Sequence, residues 1–441
     1  MALSPVAKPV PVAVLGAGLT GLSAALELTR RNIEHRVFER APHAGGHAIT
    51  TLDAGYRFDR TGHLLHLRDP ALRAEVLGWL AGDCREIARK SVIWSNGVYT
   101  RYPFQANTFG LPPAVANECV LGFVKAHFAR HETPPANFEE FCLQHFGAGI
   151  TRHFMLPFNS RLWGVPPREI TSAWCQRFVP LPKLEDVIAG AVGLNDRELG
   201  YNQTFLYPRL GIGELPRAMH ARLASVELGR APRRVDLASR VVEFDDASVP
   251  FDVLVSTVPL TTLLALCEPL PAPVREAASK LRATDLHYLD LALERPPRTD
   301  FHWAYVPEAK YPFYRVGCYS HFSPALVPPG TGSLYVELAE RGEPDLAELL
   351  PRVTAALTEM GVLDGADHVR FARARRIECA YVIFDHAYYA ALEVIRPFLA
   401  QARILSTGRY GGWQYGSMED ALLQGRAAAI EGATLLGATA P

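Results

Sequence analysis

The first fifty residues constrain the fold more than any other part of the chain. Val10 to Leu15 is a short, almost wholly apolar run, as expected of a parallel strand buried on both faces. Gly16-Ala17-Gly18-Leu19-Thr20-Gly21 follows at once, then a helical stretch from Leu22 to Arg31, then a second strand, His35 to Glu39, ending in a carboxylate. Each small residue has a physical task in that order. Gly16 permits a tight turn off the strand, Gly18 lets a pyrophosphate approach bare backbone, and Gly21 lets the helix pack closely on the sheet. The helix N-terminus favours the negative charge, and Glu39, 23 residues after Gly16, is placed to accept ribose hydroxyls. A structural glycine turn followed by a surface glutamate is the competing reading; the strand–turn–helix–strand context favours the dinucleotide site.

Composition narrows the rest. The 441 residues carry 45 Lys and Arg against 46 Asp and Glu, a formal net charge of −1. No global field then draws nucleic acid or an anionic membrane, and an anionic ligand needs a local cluster of cations. The seven cysteines are scattered without CxxC or CxH spacing, which argues against a metal site or a disulfide framework and fits a reducing compartment. No apolar run approaches the roughly 18 residues that span a bilayer, and the N-terminal residues lack a signal-peptide pattern. The expected setting is cytoplasmic, without membrane span or nucleic-acid partner; the oligomeric state stays open, a homo-oligomer included.

Along the chain, Ala114 to Glu132 and Phe138 to Trp163 read as helices, with Asn137 as an N-terminal cap. Strand signals return at Val235 to Phe244 and Asp252 to Val258, cluster between about 285 and 385, and end with Ile404 to Thr407 before a last helix from about Met418 to Leu436. Leu286 to Leu293 sets Leu, Tyr, Asp and Ala on one face against His, Leu, Leu and Leu on the other. The expected fold class is α/β. It comprises a discontinuous Rossmann-type domain (1–100, 225–265 and 395–441), a helical substrate-binding insertion (101–200) and an antiparallel sheet domain (201–224 and 266–394).

The segment after Glu39 specifies the dinucleotide. Glu39-Arg40 is followed by Gly45-Gly46 and then by Phe58-Asp59-Arg60-Thr61-Gly62-His63. This pattern resembles the second fingerprint of the amine-oxidase and protoporphyrinogen-oxidase superfamily of flavoproteins, and so implies FAD. Gly408-Arg409-Tyr410-Gly411-Gly412 resembles the C-terminal flavin segment of that superfamily, with Ser417 at the start of the helix that follows. That helix N-terminus would face the pyrimidine end of the flavin and favour negative charge there. Val241 matches a backbone contact to adenine, though an ordinary strand valine reads almost as well.

Four further segments resemble eukaryotic-type UDP-galactopyranose mutases: Tyr102 to Gln105, Phe154 to Trp163 extending to Trp174–Arg177, Tyr201 to Pro208, and Tyr305 through Pro312–Arg315. Phe384 to Tyr388 and Arg409 to Tyr415 complete the series, in order across nearly the whole chain. The resemblance implies a UDP-sugar substrate, with Arg177 and Arg315 binding its diphosphate in fork geometry beside Tyr305, Tyr388 and Tyr415. It implies a uracil pocket at Tyr102, Phe104 and Gln105. Phe154, Asn159, Trp163 and Asn202 would line the nucleotide or sugar end, and His63 would lie in a loop beside the flavin. Taken singly, each Arg could be a surface ion-pair residue, and each Tyr or His a packed one. The implied reaction is a pyranose–furanose interconversion in which reduced flavin, kept so by NADPH or another reductant, supplies the nucleophile. The absence of HExxH, GxSxG or a metal-ligand spacing agrees with that division of labour. The second reading is an oxidoreductase of the same superfamily, an amine oxidase or desaturase, towards which Gly416 to Asp420 leans; Arg177 and Arg315 have no purpose with such substrates.

Overall fold

The computed structural model describes residues 8–129, 133–175, 179–194 and 203–437. Its first sheet is the expected Rossmann sheet. Val10–Leu15 pairs in parallel with His35–Glu39 on one side and with Ser248–Ser256 on the other. Val226–Leu228 extends the sheet beyond His35–Glu39, and Ile404–Ser406 pairs in parallel with Ser248–Ser256. Three distant stretches of sequence thus build one sheet. The strand expected over Val235–Phe244 is instead a hairpin, Arg234–Asp236 against Val241–Glu243, with Arg240 at φ 53° in the bend.

The N- and C-terminal helices lock this sheet together. Leu19–Arg30 packs on Met418–Leu435, and Ser23 Oγ donates to the Leu422 carbonyl at 2.6 Å. A Cβ at Gly425 would stand 2.1 Å from the Thr20 carbonyl, so only glycine permits the crossing at this distance. The close crossing joins the last helix to the one that opens at the Gly16–Gly21 turn, although some 400 residues separate them in sequence.

The second sheet has seven strands, and most of its pairs are antiparallel. One pair is parallel: Trp303–Tyr305 lies beside Ser91–Ser95, whose hairpin partner is Val98–Arg101. Residues 91–100, expected with the Rossmann segments, and Arg101 from the expected insertion therefore pair into the second sheet. Its two faces follow the alternation in Ala283–Leu293. Leu289, Leu291 and Leu293 pack with Leu334, Val336 and Val316 against Leu349, Val353 and Leu357 of the helix Leu346–Glu359. Tyr288 and Asp290 face the other way, towards the first lobe. The helical insertion contains Pro113–Phe128 and Phe138–Trp163, and Asn137 Oδ1 accepts from the Glu140 amide as its cap.

Candidate functional site

The glycine turn forms a cradle of bare backbone. Gly18 caps the helix Leu19–Arg30 without any side-chain hydrogen bond, so the first amides of the helix stay available to an anion. Gly45 bridges to it, its amide donating to the Ala17 carbonyl at 2.8 Å, and Gly46 lies so close that a Cβ there would be 3.1 Å from Gly18 Cα. Glu39 is buried at the mouth, aimed by the amides of Ala17 and Ala41 at 2.7 and 2.9 Å. Each oxygen keeps a further lone pair for a hydroxyl. Gly408, at φ 81°, brings the C-terminal segment against Thr20, where a Cβ would be 2.6 Å from Oγ1. Arg409 is held by the carbonyls of Gly416 and Ala380 and lies over the rings of Tyr415 and Tyr381. This cradle fits the pyrophosphate and ribose of a dinucleotide. Arg40 is exposed beside it, and Val241 sits in its hairpin between Pro250 and Asp236.

A polar row crosses the second sheet on the face that carries the loop Asp59–His63. Cross-strand register places Tyr305, Arg315, Glu337, Tyr288 and Arg375 side by side on one face. The next row holds Trp303, Gly317, Tyr335 and Asp290; Gly317 lacks a side chain where the Tyr335 ring lies, and the Tyr335 hydroxyl rests on Gly62. The loop Asp59–His63 is thereby pinned to the sheet. The Thr61 amide also donates to the Tyr319 hydroxyl, which donates in turn to the Asp59 carbonyl at 2.6 Å.

Electrostatics converge on this loop. His63 is half-buried, and desolvation lowers its pKa from 6.5 to about 4, with the charges of Arg409, Arg60 and Arg315 adding to the effect. Its Nδ1 has no partner among the described residues. His47, which contacts Arg60 at 2.9 Å, is lowered to about 3 by burial and then by the charges of Arg60, His63, Arg409 and Arg40. Both rings are neutral at physiological pH, in a site rich in fixed positive charge. Arg315 is no surface residue: its side chain is 23% exposed, and Nη2 donates to the fully buried Glu337 at 2.6 Å and to Tyr381 at 3.4 Å. Burial opposes its charge, but Glu337 and the surrounding tyrosines outweigh that and raise its pKa.

The aromatic residues expected at the substrate divide into two groups. Tyr102 stacks on Tyr305 at 5.1 Å, and Phe158 meets Tyr305 edge-on. Phe104 and Phe154 stack at 5.1 Å behind them, with Phe104 wholly buried. Gln105 and Asn159 use their amides on the carbonyls of Pro180 and Met155. Trp163 is enclosed by Trp174, Tyr381, Phe384 and Tyr415. Tyr388, expected at a diphosphate, donates its hydroxyl to the Trp413 carbonyl at 2.7 Å; its burial raises its pKa to about 12. Arg177 and Asn202 lie outside the described residues. A cavity of about 280 Å³ opens beside Tyr102, lined by Arg89, Lys90 and Arg101.

The sequence matches the family of flavin-containing amine oxidoreductases over residues 19–431. The chain belongs to that family. It binds a flavin. Among solved structures, a reduced UDP-galactopyranose mutase superposes with a TM-score of 0.91 at 27% identity, covering 98% of this chain and 96% of that one. A protein described as a protoporphyrinogen oxidase from Exiguobacterium sp. 255-15 follows at 0.74 and 14%, covering 98% and 100%, and a putrescine oxidase at 0.68 and 17%, covering 97% and 99%. The last two share the fold.

Glu337, Tyr335, Tyr381 and His47 were not singled out from sequence, and Arg60 was read only as part of the motif Phe58 to His63. Glu337 and Tyr335 alternate with Leu334, Val336 and Leu338, so a polar face on that strand was readable. What that face would meet depends on cross-strand register. Among the described residues no cluster of His, Cys, Asp and Glu could hold a metal, and no helix is long and apolar enough to cross a membrane.

Proposed function

We propose that this protein is an FAD-dependent mutase that interconverts the pyranose and furanose forms of a UDP-sugar, UDP-galactose foremost. The observation that carries the reading is the pair of arginines gathered at Tyr381: Arg315, opposite Tyr305 in the sheet and bonded to Tyr381, and Arg409, which lies over the Tyr381 ring. A cationic amine would be repelled there and an apolar substrate would gain nothing, whereas a diphosphate is attracted. The likeness to the mutase over nearly the whole chain agrees with it.

When bound and reduced, the flavin supplies a nucleophile, N5, for the anomeric carbon. The chain's own residues do the rest. Gly16, Gly18, Gly21, Gly45 and Gly46 admit the pyrophosphate of FAD to the backbone, and Glu39 receives its ribose. Arg315, with Arg177, neutralises the diphosphate as it separates from the sugar and holds it for return, an electrostatic and positional service in a site closed to water. Tyr305 and Tyr415 offer hydroxyls without adding charge, and Tyr102 offers a stacking face. Neutral His63 can donate or accept one hydrogen bond without exchanging a proton with solvent near pH 7.

The test is dithionite-reduced protein incubated anaerobically with UDP-galactopyranose and, separately, UDP-galactofuranose, with products resolved by chromatography, beside oxidised protein incubated in air with amines while oxygen uptake is recorded. Interconversion without stoichiometric oxygen or reductant consumption is expected. Turnover of an amine with one oxygen consumed per product would replace the mutase reading with the oxidase one.

A further inference from the structure

Glu337 takes no part in the reading above, yet it is completely buried beside the proposed diphosphate clamp. One of its oxygens accepts from Arg315 Nη2 at 2.6 Å. The other, Oε2, has no hydrogen-bond partner among the described residues, and neither have Arg315 Nε and the Tyr314 hydroxyl. Folded proteins seldom leave a buried carboxylate oxygen without a donor, because its desolvation is then uncompensated. An orphan of this kind in a binding site signals a donor that arrives with the ligand.

Placement narrows what that donor is. Glu337 and Tyr335 are two apart on one strand and share a face. Tyr335 touches Gly62 of the loop beside the flavin cradle, while Glu337 touches Arg315. Glu337 thus lies at the boundary between the clamp and the flavin loop. Phosphate oxygens are acceptors and anionic, so they cannot satisfy a carboxylate. Of the parts of a nucleotide sugar, the hexose between diphosphate and flavin is the one that brings hydroxyl donors to this point.

We infer that Glu337 reads the sugar: Oε2 accepts a hydroxyl of the hexose while Oε1 holds Arg315 against the diphosphate. The inference rests on the nucleotide-sugar reading and adds a residue that discriminates the UDP-hexose from UDP. Its charge serves both ends, since it fixes the guanidinium fork and rewards a neutral polyol over a second anion.

The oxidised, flavin-loaded protein binds without turning over, so affinities can be read directly. UDP, UDP-galactose and UDP-glucose are titrated by flavin fluorescence against wild type, Glu337→Gln and Glu337→Ala, with flavin content and melting temperature as folding controls. The ratio of UDP-hexose to UDP dissociation constants is expected to rise about ten-fold in the alanine variant. A smaller rise is expected for glutamine, whose amide nitrogen cannot accept. UDP alone should lose less, because it feels only the loosened Arg315 and not the missing acceptor. Equal losses for UDP and UDP-hexose, or no change in either, would overturn the inference and leave Glu337 as a counter-ion. Should the alanine variant not fold, the isosteric glutamine variant decides the ratio. Wild type that binds none of the three ligands removes the nucleotide-sugar reading itself, before any variant is made.

Discussion

The glycine cradle and the polar row around Arg315 are made of different material. The cradle is backbone: a helix N-terminus without a side-chain cap, two glycine turns in contact, and one carboxylate aimed by two amides. Its residues lie almost entirely within the first fifty of the chain. The row is side chains: Tyr305, Arg315, Glu337, Tyr288 and Arg375 come from different strands and meet only through register. A backbone site tolerates little substitution because it has no side chain to spare. A side-chain site can be retuned one residue at a time, which is how relatives of one fold come to serve different substrates.

Replacing glycines in the cradle should have the largest effect and should separate two kinds of loss. Gly18→Val is expected to give a folded, colourless protein, because a Cβ there meets little but Gly46 and its bulk falls where the pyrophosphate belongs. Gly21→Val should fail to fold, since its Cβ would stand 1.9 Å from the Gly16 carbonyl oxygen. Flavin absorbance and thermal melting distinguish the two. A yellow Gly18→Val protein would remove the cradle from the cofactor site.

On the row, Arg315→Ala should cost about 3 kcal/mol of stability, because the change leaves Glu337 buried and unpaired. UDP affinity should fall with it. The simpler expectation for a ligand-binding arginine, lost affinity at unchanged stability, ignores its counter-ion. Chemical denaturation of Arg315→Ala beside the double variant Arg315→Ala/Glu337→Ala checks this: the double variant should recover part of the loss. No recovery would mean that the pair contributes nothing as a pair.

Glu39→Ala removes a charge-assisted acceptor worth about 1.5–3 kcal/mol, so flavin affinity should fall roughly ten- to hundred-fold in a reconstitution titration. Unchanged occupancy would show that the cradle binds through the pyrophosphate alone.

His63 stands between the two regions and gives them a common pH response. Its folded pKa, about 4, lies below the unfolded value of 6.5. The unfolded chain therefore binds the proton first as pH falls. Stability is full above about pH 6.5 and is lost towards pH 4, at no more than about 1.4 kcal/mol per unit. Melting temperature against pH should fall less steeply over this window in His63→Asn than in wild type. Identical slopes would place His63 in contact with solvent.

The smallest effect concerns Tyr388. Phenylalanine there should cost about 1 kcal/mol by leaving the Trp413 carbonyl without its donor, while UDP affinity stays unchanged. Tyr305→Phe should show the reverse, with affinity falling and stability kept. Ligand titration of the two variants would disprove the division if Tyr388→Phe were the weaker binder.

The Rossmann strands, the turn at Gly16 and close packing at Gly21, the Asn137 cap and the two-faced strand Ala283–Leu293 were all readable from the chain, because each depends on neighbours within a few residues. The same holds for the family, whose motifs recur in order along the sequence. Tertiary structure decided what locality cannot express. It moved the hairpin 91–101 into the second sheet through a parallel pairing with Trp303–Tyr305. It set Glu337 against Arg315, since register between strands is fixed by packing over the whole sheet and not by either strand alone. And it committed the Tyr388 hydroxyl to a backbone carbonyl 25 residues away, because a buried polar group takes the nearest partner the fold provides.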